Sequence, residues 1–139
     1  MTDVSASDVK KLREETGAGV MDVRKALLEA GGDIEKAKDV LKTAGVEKVA
    51  KRSERETSQG IIDNYVHAGG KVGAMVHLAC ETDFVAKTDE FKNLAREIAM
   101  QVAAMNPADV EELEKQDYIR ESGKTIKDLV EAVIAKTGE

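Results

Sequence analysis

The side chains that could perform chemistry in this chain of 139 residues are few and lie far apart along it. Catalysis requires a nucleophile with a base in reach, two carboxylates in one pocket, or a metal ion with three or four ligands. His67 and His77 fall on two predicted strands, but two imidazoles without a further suitable ligand do not build a zinc site. Cys80, the single cysteine, ends an apolar strand pattern and is typical of a small core residue. We therefore expect no metal, no cofactor and no enzymatic activity.

A glycine-rich segment at residues 17–19 offers backbone amides at the start of a predicted helix, where an anion could bind. A phosphate-binding loop would continue with a Lys-Ser or Lys-Thr pair, and no such pair follows. A turn between two helices is therefore the better explanation of these glycines.

One short peptide, CETDFVAK at residues 80–87, places an aromatic ring in a polar connection between a predicted strand and a predicted helix. The chain contains only two Phe and no Trp, so aromatic side chains are scarce core material. Connections lie on the surface and carry function more often than the elements that they join. Phe84 is therefore a candidate anchor for another molecule. The alternative is that Phe84 folds back as a lid over the sheet while Asp83 caps the next helix.

The overall charge argues against nucleic acid as a direct partner. The chain has 21 basic and 27 acidic residues and a net charge of -6, which disfavours binding to a phosphate backbone. Residues 1–5 are polar and acidic, unlike a secretory signal, and no apolar stretch approaches the ~18 residues that span a bilayer. We expect a soluble cytoplasmic protein that contacts neither nucleic acid nor membrane directly.

Three short helices are predicted within residues 1–45. Ser7 is placed to cap a helix that runs to Thr16, a second helix begins at Val20, and Asp33 caps a third that ends at Gly45. The second and third helices each carry an apolar stripe, formed by Val20, Val23, Leu27 and Leu28 and by Ile34, Ala37, Val40 and Leu41. Helices this short are marginal alone in water, so we expect the stripes to pack together as a miniature bundle.

Residues 46–59 are almost wholly charged, which is typical of a solvated helical linker. The less favoured interpretation is that Lys48, Lys51 and Arg52 bind a partner.

Beyond residue 60 the pattern favours an antiparallel hairpin, with strands at residues 61–67 and 72–80 joined by a Gly-Gly turn. The inner face of the second strand needs a cover, since an isolated two-stranded ribbon is barely stable in water. That face is formed by Val72, Ala74, Val76, Leu78 and Cys80. Thr88 is placed to cap the covering helix, whose apolar stripe is Phe91, Leu94, Ala95, Ile98, Ala99 and Val102.

Two further helices are predicted after Pro107, which ends the covering helix. The first runs through Val110 and Leu113 to Tyr118, and Thr125 caps the second. The apolar stripe of the second is Ile126, Leu129, Val130, Val133 and Ile134. The predicted fold class is α+β, with a three-helix module at 1–45, a linker at 46–59 and an α+β core domain at 60–139.

Two segments together resemble the signatures of elongation factor Ts, the nucleotide exchange factor of elongation factor Tu. They are LREETGAGVMDVRKAL at residues 12–27 and CETDFVAK at residues 80–87, and their order and separation match the family. Residues 31–37 and 65–73 extend the likeness, which covers nearly the whole chain. The three-helix module is also similar to ubiquitin-associated modules.

The resemblance implies a factor that promotes GDP release from elongation factor Tu without chemistry of its own. It implies that the N-terminal module docks on the nucleotide-binding domain of the partner through Gly19, Val20 and Met21. It also implies a loop that enters the partner near the nucleotide's magnesium ion, formed by Thr82, Asp83, Phe84 and Val85, with Phe84 as the wedge.

The family's usual chain continues past residues 138–139 into a further strand that pairs with the hairpin, so the resemblance is to a short or truncated form. An open edge on the hairpin could pair with another copy, which makes a homodimer through the second domain an expectation. Two rival interpretations remain. One is a module that binds ubiquitin-like or nascent-chain peptides, and the other is an inactive structural fragment.

Overall fold

The computed structural model describes residues 4–139, so the first three residues of the polar start at residues 1–5 lie outside the described residues. The chain divides into two compact units, one that ends at Ser53 and one that runs from Glu54 to Glu139. This boundary falls inside the segment 46–59, and the assignment of that segment as a linker stays a prediction, as do the domain limits at 45 and 60.

The first unit contains three helices, α1 (Ala6–Thr16), α2 (Val20–Glu29) and α3 (Ile34–Arg52). They pack around a small core formed by Leu12, Val23, Ala26, Leu27 and Ala37. Gly17 ends α1 in the left-handed conformation, with φ of 69°, and its amide donates to the Arg13 carbonyl at 2.8 Å. The predicted miniature bundle is confirmed, while the likeness to ubiquitin-associated modules stays a prediction.

Three details of the first unit differ from the sequence-based expectations. Ser5, not Ser7, caps α1, because its Oγ accepts from the Asp8 amide at 3.1 Å. Leu28 is 52% exposed, because Leu27 is the residue of this pair that faces the core. The apolar stripe of α2 is therefore narrower than predicted. The third helix does not end at Gly45 but continues to Arg52, since a glycine in a helix costs only about 1 kcal/mol.

The second unit begins with an antiparallel hairpin, β1 (Gln59–Val66) and β2 (Gly73–Cys80), in which Ile61 lies opposite Leu78. The turn between the strands contains the two glycines that the sequence indicated, both with positive φ. Gly60 also requires glycine, because its φ is 152° and a Cβ there would lie 2.8 Å from the Ala79 Cα. Val72 precedes β2 and is exposed, so it does not belong to the inner face as predicted.

Four helices follow in the second unit, α4 (Asp83–Ala86), α5 (Asp89–Met105), α6 (Val110–Lys115) and α7 (Ile126–Thr137). Thr88 caps α5 and Thr125 caps α7, as predicted. Tyr118 lies outside α6, because that helix ends at Lys115 and Asp117 then forms an isolated bridge with Thr125. The α+β fold class is confirmed.

The apolar face of α5 covers the hairpin and forms the core of the second unit. Its fully or largely buried members are Phe91, Leu94, Ala95, Ile98 and Ala99. Gln101 is also fully buried, and its amide group donates to the Asp117 carbonyl at 3.0 Å and accepts from the Ile119 amide at 3.0 Å. Within residues 4–139, no helix is both long and apolar enough to cross a membrane.

Candidate functional site

The peptide at residues 80–87, predicted as a plain connection, contains one helical turn, α4. Thr82 is its N-cap, with extended backbone angles, and its Oγ1 accepts from the Val85 amide at 3.5 Å. The Ala86 and Lys87 amides donate to the Thr82 and Asp83 carbonyls, each at 3.3 Å. These distances exceed the usual 2.9–3.0 Å of an N–H···O bond, so the turn is weakly held by its own backbone.

Packing and a side-chain bond fix the inner side of α4. Ala86 is buried in a cluster with Cys80 and Phe91, and Val85 packs against the same cluster. The Thr88 hydroxyl donates to the Val85 carbonyl at 2.7 Å, which ties the end of the turn to the start of α5. These contacts orient Val85 and Ala86 toward the core.

The opposite side of α4 presents Phe84 to solvent, with 86% of the residue exposed. The alternative in which Phe84 folds back as a lid over the sheet is therefore wrong. Asp83 does not cap the next helix either, since Thr88 does so. Instead Asp83 forms an ion pair with Lys87 at 2.6 Å, and both side chains are largely exposed, so the pair contributes little to stability.

Thr82 is also held by Glu139, a residue that no feature of the sequence pattern indicated. The Thr82 amide donates to Glu139 Oε2 at 3.0 Å, and the Thr82 hydroxyl donates to Oε1 at 2.7 Å. The Cys80 thiol donates to the Thr82 carbonyl at 3.1 Å. Burial raises the pKa of the Cys80 thiol, and the negative charge of Glu139 acts in the same direction, so the thiol keeps the proton that it donates.

The second set of predicted site residues lies in the first unit, at the start of α2. Gly19 is the N-cap of that helix, and its carbonyl accepts from the Val23 amide at 2.9 Å. Val20 and Met21 follow in the first turn of α2 and expose 46% and 73% of their surfaces. The three predicted residues therefore form a short surface with two exposed apolar side chains.

Two lysines of the first unit form ion pairs between its helices. Lys48 on α3 donates to Asp22 on α2 at 2.7 Å, so one of the three cations considered for partner binding joins two helices of its own unit. Lys38 similarly pairs with Glu15 at 2.9 Å, which raises the pKa of Lys38 and lowers that of Glu15.

The described part of the chain offers no group of three or more His, Cys, Asp and Glu side chains that could hold a metal ion. The Tyr65 hydroxyl lies 2.9 Å from His67 Nδ1, while His77 lies opposite Ile62 in the hairpin. The geometry therefore offers exposed apolar anchors on two surfaces, which suit binding to another macromolecule.

Known proteins of one family match this chain across both of its units. The family model described as "Elongation factor TS" matches residues 81–139, a range that begins one residue before Thr82. A protein called elongation factor Ts from Desulfosudis oleivorans is 51% identical, over 96% of this chain and 73% of its own length. The proteins of the same name from Thermoanaerobacter sp. (strain X514) and Thermosipho melanesiensis are 42% and 48% identical, over 98% and 96% of this chain and 89% and 76% of their own lengths.

Proposed function

The chain belongs to the elongation factor Ts family and is a translation elongation factor, and from this premise we propose that it promotes GDP release from elongation factor Tu. It acts in the cytoplasm by binding that GTPase, without a cofactor, without catalytic chemistry of its own and without direct contact to nucleic acid or membrane.

The observation that carries this proposal is the exposure of Phe84 on a turn whose other side is anchored in the core. An aromatic ring that fills a pocket of a partner is a frequent hot spot of protein interfaces. Phe84 acts as a wedge in the nucleotide-binding domain, and Asp83 rearranges the polar network around the magnesium ion. Once the ion is lost, the phosphate charge of GDP is uncompensated and the nucleotide leaves faster.

Gly19, Val20 and Met21 provide the second contact to the same partner. The exposed apolar side chains of Val20 and Met21 are available for docking. Two contacts on one chain raise the overall affinity, since binding of the first makes binding of the second intramolecular. The contact through Gly19, Val20 and Met21 recruits the partner, and the contact through Phe84 disturbs its nucleotide site.

The direct test is the substitution Phe84→Ala in the full chain. We expect it to reduce stimulated GDP release by about 30-fold, because truncation of a buried aromatic hot spot costs ~2 kcal/mol or more. The measurement is the rate of fluorescent GDP release from elongation factor Tu at increasing concentrations of the chain.

Val110→Ala is the matched control, because Val110 is also an exposed apolar side chain of the second unit and belongs to a different helix. Its release rates should equal those of the unmodified chain. Equal rates for Phe84→Ala and the unmodified chain would contradict the proposed role of Phe84. Failure of the unmodified chain to stimulate release would contradict the proposed function. Weak or absent binding of elongation factor Tu in a pull-down would favour the inactive structural fragment.

We also propose that the chain forms a homodimer through the second unit. The outer face of the hairpin supports this, because the apolar side chains of Ile62, Val66 and Met75 all lie on that face and are largely exposed to solvent. Apolar side chains grouped on one face often mark an interaction surface. The interpretation as a module for ubiquitin-like or nascent-chain peptides stays a prediction.

A further inference from the structure

The turn that presents Phe84 is fixed by a carboxylate that lies 57 residues away along the chain. Glu139 accepts two hydrogen bonds from Thr82, one from the amide at 3.0 Å and one from the hydroxyl at 2.7 Å. Both bonds end on a charged group, and charge-assisted hydrogen bonds are shorter and roughly twice as strong as neutral ones.

The bonds inside α4 are weaker than those to Glu139. The Val85 amide lies 3.5 Å from the Thr82 hydroxyl oxygen, and the two backbone bonds of the turn are each 3.3 Å long. A single helical turn fixes several backbone angles for each hydrogen bond that it gains, so it is unfavourable alone in water. Outside contacts must therefore hold the turn, and at its N-terminal side Glu139 supplies the shortest of them.

Glu139 is itself held by the end of α7. Gly138 has φ of 82° and its amide donates to the Ile134 carbonyl at 2.8 Å, which turns the chain back toward the hairpin. The Glu139 amide then donates to the Thr137 hydroxyl at 3.3 Å. Val133, one turn earlier, packs on the same cluster as Val85. The carboxylate thus extends from a packed helix end to Thr82.

We propose that Glu139 is a positioning residue for partner binding, which holds Thr82 so that α4 stays formed and Phe84 stays directed outward. This rests on the proposed function, in which Phe84 enters the partner. If only part of the population has the turn formed, the apparent affinity for the partner falls in proportion to that fraction. Loss of the Glu139 bonds therefore weakens partner binding more than it slows the release step itself.

The test compares Glu139→Ala with the unmodified full chain by two measurements. In the free chain, amide hydrogen exchange of Thr82 and Val85 is followed by NMR, and we expect it to be about tenfold faster in Glu139→Ala, because two charge-assisted bonds are lost. In the release assay, we expect the concentration for half-maximal stimulation to rise about tenfold while the maximal rate is largely kept.

Two variants separate positioning from general stability. Glu139→Gln should restore part of both losses, because its amide oxygen can still accept one bond from Thr82. Lys136→Ala is the control, since it removes a different contact of the last turn of α7, the ion pair between Lys136 Nζ and Glu90 Oε1 at 2.6 Å. This variant should leave unchanged both the hydrogen exchange of the Thr82 amide and the concentration for half-maximal stimulation.

Unchanged hydrogen exchange of the Thr82 amide in Glu139→Ala would overturn the inference. A half-maximal concentration of Glu139→Ala equal to that of Lys136→Ala would also overturn it. Equal losses in Glu139→Gln and Glu139→Ala would also overturn it, since they would leave no role for the accepted hydrogen bond. The NMR measurement needs no partner. If the unmodified chain fails to stimulate GDP release from elongation factor Tu, the proposed function fails. Hydrogen exchange of the Thr82 amide then still decides whether Glu139 holds the turn.

Discussion

At the scale of single residues, the two phenylalanines of the chain have opposite environments. Phe91 is 4% exposed and lies in the core, whereas Phe84 is 86% exposed, although both lie in the second unit. Burial of a phenylalanine stabilises a protein by roughly 1.5–3 kcal/mol relative to exposure. Phe84 contributes none of this to folding, and the same free energy is available for binding a partner that buries the ring.

Tyr118 provides a prediction on pH dependence. Its hydroxyl donates a hydrogen bond to Glu97, which also forms an ion pair with Arg120 at 2.7 Å. Burial raises the pKa of Tyr118 to about 12, and the bond to the Glu97 carboxylate acts in the same direction. The folded chain therefore keeps a proton that the unfolded chain loses near pH 10. This contribution to stability is fully present below pH 10 and is lost as the pH rises to about 12.

The chain has only two tyrosines, so Tyr65→Phe leaves Tyr118 as the single group that gives a tyrosinate absorbance signal. We expect that variant to titrate with a midpoint of about 12 while folded. The further substitution Glu97→Gln removes the accepting charge and should move the midpoint toward 10. A midpoint near 10 in the folded Tyr65→Phe chain would contradict the prediction.

At the scale of secondary structure elements, the sequence predicted the features that depend on neighbouring residues. Asp33, Thr88 and Thr125 cap helices as expected, because an N-cap needs only a side-chain oxygen within reach of an amide three residues later. The same rule could not choose between Ser5 and Ser7, since both hydroxyls have an amide at the required distance along the chain.

Individual hydrogen bonds between residues that are distant along the chain could not be predicted. The bonds from Thr82 to Glu139 join residues 57 apart, and burial of Gln101 depends on bonds to a segment 15–18 residues later. A hydrophobic pattern indicates which positions are apolar, whereas these contacts depend on how the helices and strands pack against one another. The Phe84 motif was identified from its composition, but its presentation by a helical turn was not, because the backbone bonds that define the turn are weak.

The outer face of the hairpin, which includes Ile62, Val66 and Met75, is the proposed dimer interface. If the outer face forms the proposed homodimer, Met75→Lys should shift the chain from dimer to monomer in sedimentation equilibrium, because a buried unpaired charge is costly. Met75 is 70% exposed in the described chain, so its substitution should not disturb folding. Met21→Lys is the matched control, since Met21 is an exposed methionine of the other unit and should leave the association state unchanged.

A monomeric unmodified chain at high concentration would contradict the proposed dimer. A dimer that persists in Met75→Lys would show that the outer face is not the interface. The open edges of the two-stranded sheet would then be the next candidates, since unpaired backbone groups of edge strands readily pair with another chain.

At the scale of the whole molecule, the chain combines exposed apolar anchors with a net charge of -6. A net charge far from zero keeps a protein soluble and disfavours contact with other polyanions. The anchors lie on the surfaces of two compact units, each of which has its own buried core. This combination is what the proposed reversible binding of one partner requires.

Reversible action of this kind makes a thermodynamic prediction. If the chain weakens the affinity of elongation factor Tu for GDP by some factor, GDP must weaken the affinity of elongation factor Tu for the chain by the same factor. We expect titration calorimetry to give a weaker binding of the chain to the GDP-bound partner than to the nucleotide-free partner, by about 5- to 150-fold, the usual range of such couplings.

Phe84→Ala should reduce this ratio, because it removes the side chain that distinguishes the two states, whereas Val110→Ala should not. An unchanged affinity in the presence of saturating GDP would mean that the chain and the nucleotide bind independently, and exchange by displacement would then be excluded.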